Sequence, residues 1–225
     1  GTAGDIFGGN NEGGTCPETN VAINGSSVTD AVYGGGNQVA TQNTTVTLNN
    51  SGNEIPYIFG GGKSADATTT NVTINGGTAT SVFGGSNTSG TVTTSNVSMV
   101  GGTMGNVYGG NNAGGTTVTS NVIVSGGTTN NVFGGGNQAN TTTSNVTINN
   151  GKMTNVYGGA NQADVTTTYV TVKGGNIENA FGGSNQSGTV NESNVSLESN
   201  TTAPSGGIKM EVDYTAVEAE QWRKD

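Results

Sequence analysis

"NVYGG" stands at 106–110 and again at 155–159, with "NVFGG" between them at 131–135. Worked outward, the aromatic-Gly-Gly element recurs at Phe7, Tyr33, Phe59, Phe83, Tyr108, Phe133, Tyr157 and Phe181, spaced 26, 26, 24, 25, 25, 24 and 24 residues apart. Self-similarity at a fixed short period marks a chain built from stacked copies of one unit. A second element fills the space between corners. It reads "NVAI" at 20–23, "TVTL" at 45–48, "NVTI" at 71–74 and "NVSM" at 96–99, then "NVIV", "NVTI", "YVTV" and "NVSL" in the later copies. Its second and fourth positions are apolar in every copy and its first and third are mostly polar, the period-two alternation of a half-buried strand.

A unit of 24–26 residues with short β-branched strands and no helical pattern predicts one turn of a parallel β-solenoid. A propeller blade needs four strands and about 40–45 residues, and does not fit. The fold expected is therefore all-β: about eight coils over residues 1–207, closed by a C-terminal strand and helix cap at 208–225. Glycines at the corners are expected to supply positive φ where the chain turns. The pattern stops near Gly206, and 8 of the 21 charged residues lie beyond Gly207. There "MEVDY" alternates like a last strand, and "TAVE" at 215–218 is a capping-box signature for a short helix. The opening "DIFGG" carries no cap, as expected of a piece of a longer array. At about 4.8 Å per coil, eight coils make a rod roughly 35–40 Å long.

Composition narrows the function. Of 225 residues 41 are Gly, 9% are charged and 30% hydrophobic, too little apolar mass for an ordinary α/β globule. A net charge of −9 disfavours nucleic-acid partners. No apolar run is long enough for a spanning helix, so membrane insertion is not expected, and no leader-type segment opens the chain. Cys16 is the single cysteine, which excludes an intrachain disulfide and reads as a small hydrophobe. No histidine is present, removing Ser-His-Asp and Cys-His chemistry, and the one arginine is Arg223. The carboxylates Asp30, Asp66, Asp164, Glu178 and Glu192 are read as falling at different repeat positions, so no catalytic pair is nominated. The chain is expected to be no enzyme and to carry no cofactor or metal.

In a stack, chemistry lies in columns. Asn11, Asn37, Asn87, Asn112, Asn137, Asn161 and Asn185 occupy one column, predicted to hydrogen-bond coil to coil, with Lys63 breaking it toward solvent. The aromatic column permits two arrangements. The rings form a buried stack beside the aliphatic column, or they stand exposed as a row on which sugars could lie. On the second arrangement Phe83, Tyr108, Phe133 and Tyr157 are the candidate ligand-contacting residues. The outward face of the "NVTI" strand is a sheet of hydroxyls and amides. It resembles the water-ordering threonine grids of β-solenoid ice-binding proteins, but Ile123, Tyr169 and Glu192 interrupt it.

The repeats "VYGGGNQ", "VFGGGNQ" and "NVTINGG" resemble the Gly/Asn-rich repeats of large bacterial surface adhesins over roughly residues 5–200. That resemblance implies an extracellular, cell-surface stalk or adhesin whose partners are host or environmental glycans or surface proteins. The alternative reading is a fragment of a carbohydrate-active β-helix of lyase or hydrolase type.

Overall fold

A computed structural model describes residues 1–198 and the backbone of 209–211. All regular structure in these residues is β. Two long parallel sheets form, and consecutive rungs of each are consecutive coils of the chain. The threonine sheet has eight strands: Glu18–Asn24, Thr41–Asn50, Ala67–Ile74, Thr91–Met99, Thr116–Val124, Asn140–Ile148, Val165–Val172 and Val190–Leu197. The aromatic sheet has nine and includes Thr78–Phe83, Thr103–Tyr108, Thr128–Phe133, Lys152–Tyr157 and Asn176–Phe181. Its last strand, Lys209–Glu211, pairs in parallel with Asn176–Phe181. This strand overlaps the expected one at Met210 and Glu211, while the rest of that strand and the helix expected at 215–218 lie outside the described residues.

Register follows the repeat: Asn96, Val97 and Met99 pair with Asn121, Val122 and Val124, and Val107 and Tyr108 with Val132 and Phe133. The two sheets enclose an aliphatic core in which Val97, Met99, Met104, Val107, Val122 and Val124 are 0–2% exposed. Each such side chain contributes about 1.5–3 kcal/mol by burial, so a coil with only a few apolar residues still adds a stable layer.

A third side, formed by the residues after the glycine pair, joins the aromatic sheet to the next threonine strand. Its backbone is bonded coil to coil as well: Asn37 N–H donates to Asn10 O, and Lys63 N–H to Gly36 O. The corner glycines work by close approach and not, as expected, by positive φ. A Cβ on Gly109 would stand 2.2 Å from the carbonyl oxygen of Gly134 in the next coil, far inside contact distance. Positive φ is found instead at the other turn, as at Gly127 (φ 84°) after "NVIV".

Candidate functional site

Strand alternation sends Val107 into the aliphatic core and Tyr108 to the opposite side of the sheet. The rings nevertheless do not meet solvent. Phe83, Tyr108, Phe133 and Tyr157 are 2%, 6%, 2% and 8% exposed, in an apolar cluster of their own. Consecutive rings from Phe7 to Phe181 stack at centroid distances of 4.6–5.0 Å with planes within 14° of parallel. Each ring therefore covers the faces of its neighbours. Their edges are flanked by the column of Ala31, Ser81, Asn106 and Asn131 two residues earlier, and by the Asn column beyond the glycine pair. Asn87 Nδ2 donates to the Tyr33 hydroxyl at 3.1 Å across that second wall. Burial pushes the Tyr108 hydroxyl up to about 12, and raises those of Tyr33 and Tyr157.

These four rings consequently offer no face to a sugar, which corrects the expectation of a ligand-contacting row. Among the described residues the solvent-exposed rings are Tyr57 and Tyr169, 46% and 43% exposed. Each stands at a repeat position that other coils fill with a smaller residue. Tyr57 sits beside Phe59 on the aromatic sheet, and Tyr169 pairs with Asn145 and Asn194 on the threonine sheet.

The Asn column bonds as predicted. Asn37 donates to Asn11 at 2.8 Å, and Asn112, Asn137, Asn161 and Asn185 each donate to the preceding Asn at 2.8–3.0 Å. Lys63 interrupts it and reaches Asp5 at 3.9 Å. Two further long ladders appear that the sequence reading did not single out, besides a short one in which Asn75 donates to Asn49 and Asn49 to Asn24, both at 2.7 Å. Asn96, Asn121 and Asn145 each donate to the Asn below on the threonine face, at 2.9–3.0 Å. Asn131, Asn155 and Asn179 do the same on the aromatic sheet, at 2.8–3.0 Å.

A buried hydroxyl column also went unread. Thr44 and Thr70 donate to the carbonyls of Gly60 and Gly84 at 2.6 and 2.5 Å, and Ser95, Ser120 and Ser144 bond Gly109, Gly134 and Gly158 in the same way. These bonds cross the interior and close each coil at its glycine corner. The signal was present as an invariant Ser or Thr two residues before the apolar Val, but it resembles any polar strand position.

Two grooves open along the edge between the third side and the threonine sheet. The first, about 700 Å³, is lined by Cys16, Pro17, Val39, Gln42, Asp66 and Thr93 among others. The second, about 510 Å³, is lined by Asn140, Thr142, Asp164, Thr166, Thr189 and others. Asp66 and Asp164 do occupy one column, running Asp66, Thr91, Thr116, Asn140, Asp164 and Thr189, contrary to the sequence reading. In each case the following coil carries an extra glycine, Gly90 or Gly188, at positive φ. The carboxylate spans the resulting step: Thr91 N–H donates to Asp66 Oδ1, and Thr189 N–H to Asp164 Oδ1, both at 2.7 Å. The two aspartates stand four coils apart, about 19 Å at the strand spacing, too far to act as a catalytic pair. Among the described residues no three His, Cys, Asp or Glu side chains converge as a metal site. Compared with family models, with curated proteins and with solved structures, the chain matches none.

Proposed function

We propose that this chain is a non-catalytic rod displayed outside a bacterial cell, where it serves as a stalk or adhesin. The observation that carries the reading is continuity. Backbone ladders on three sides, three long asparagine ladders and one ring stack run along the coils. Such a stack resists bending because any bend must break several rungs at one level. Each coil contacts chiefly its neighbours, so length is set by repeat number. The outer faces are flat and rich in hydroxyls and amides, suited to weak contacts summed over many copies.

An array of glycans and extracellular surface proteins, probed with the intact chain on multivalent beads, tests the adhesin half. Retention on some features supports it; beads that remain unbound on all of them reduce the protein to a spacer. Release of unsaturated or reducing ends from pectin or alginate would overturn the non-catalytic assignment.

A further inference from the structure

The two Asp grooves share one aspartate-capped step, the first beside an apolar side and the second lined chiefly by threonines and asparagines, and the ring row that was expected to meet sugars is sealed. We propose that these grooves, centred on Asp66 and Asp164, are paired subsites for neutral sugar residues of one polysaccharide. The proposal rests on the adhesin reading and gives it a location and a ligand class.

Three features point to a neutral sugar. First, each carboxylate is fixed by a backbone N–H on Oδ1, leaving Oδ2 to accept hydrogen bonds from a ligand without an ordering cost. Both Asp66 and Asp164 are exposed. Second, the first groove combines this acceptor with the hydroxyls of Thr68 and Thr93 and an apolar side formed by Pro17, Val39 and Ala67. A pyranose presents that pairing, with hydroxyls at its rim and C–H groups on its face. Third, the chain's net charge of −9 disfavours acidic glycans, and a lone carboxylate is a poor cation cage. The grooves fall within the roughly 300–1,000 Å³ of small-ligand sites. They are open and shallow, so each alone binds weakly. Occupied together by one chain, they bind through effective concentration.

The pair also has a sequence cause. Each groove ends at the coil that carries the extra glycine, Gly90 or Gly188, and the Asp bonded to that coil is its acceptor.

Cys16 lines the first groove and is half-buried, which supplies a reporter in the intact chain. Its alkylation by iodoacetamide should be slowed several-fold, saturably, by at least one of gluco-, manno- or galacto-hexaose. Asp66→Asn keeps an acceptor for Thr91 N–H, so it should fold with an unchanged melting temperature yet lose the protection. Asp164→Asn should shift the protection at Cys16 to higher hexaose concentration without abolishing it, because the first subsite remains but loses its linked partner. No slowing by any of the three hexaoses, or equal slowing in Asp66→Asn, overturns the proposal. On the glycan array, retention that survives the Asp66→Asn, Asp164→Asn double variant places adhesion elsewhere on the rod: the function stands and this inference falls. Protection of Cys16 without any array retention separates the opposite case, in which the subsites exist but the adhesin role does not.

Discussion

At the scale of single residues, space and burial decide what each repeat position tolerates. Gly109→Ala places a Cβ 2.2 Å from Gly134 O and should destabilise by at least about 2 kcal/mol. Gly13, in the loop after the first corner, has nothing within 4 Å of such a Cβ, and its alanine variant should change stability by less than about 0.5 kcal/mol. Chemical denaturation of the two variants makes the comparison. The ring column offers a second test. Phe133→Ala leaves a cavity in the stack and should cost about 3–5 kcal/mol, whereas an exposed ligand-binding ring would cost little. Tyr108 adds a pH signature. Its folded value of about 12 exceeds the ~10 of an unfolded tyrosine, so the folded chain holds the proton more tightly. This contribution is complete below about pH 10 and is lost as pH climbs toward 12, a fall of about 2–3 kcal/mol. Melting temperatures across that window should fall less steeply in Tyr108→Phe. The sequence alone could not say whether the rings were covered. Alternation correctly puts Val107 and Tyr108 on opposite sides, but coverage depends on walls formed by other columns and on rings one coil away.

At the scale of the element, the strands were legible and their hydrogen-bonded fittings only partly so. Period-two alternation in eight aligned copies identifies the second-strand core positions Val72, Val97, Val122 and Val146, all 0–1% exposed. The Asn column after the glycine pair was also readable, because its amides recur at one position. By contrast, Ser120 and its equivalents share the inward side with Val122 by the same alternation, but a small polar residue there gives no sign of its buried bond to Gly134 O. Ser120→Ala should therefore cost about 1–3 kcal/mol, the penalty for an orphaned buried carbonyl. Asp66 and Asp164 escaped notice because three uncharged positions separate them within their column. Lys63 gives a test in the stabilising direction. Its ion pair with Asp5 is long and solvent-exposed and contributes little. Lys63→Asn would join Asn37 to Asn87 and should raise stability by about 0.5–1.5 kcal/mol, read as a higher denaturant midpoint.

For the whole molecule, a repeat stack has modular energetics. Deleting two successive coils, residues 109–157, should shorten the rod by about 10 Å in small-angle scattering while leaving the β-type circular dichroism per residue unchanged. A globular fold would collapse on losing that fraction of its chain. The asparagine ladders carry one more consequence. In the three long ladders every Nδ2 donates toward the coil of lower number, from Asn37 to Asn11 and from Asn185 to Asn161 alike. Their amide dipoles thus add along the axis, positive toward the first coil, and outnumber the two opposed bonds from Gln138 to Gln162 and from Gln162 to Gln186, although β-sheets ordinarily carry almost no net dipole. The rod behaves as a weak electric arrow, and two of them lying side by side lower their energy by pointing in opposite directions.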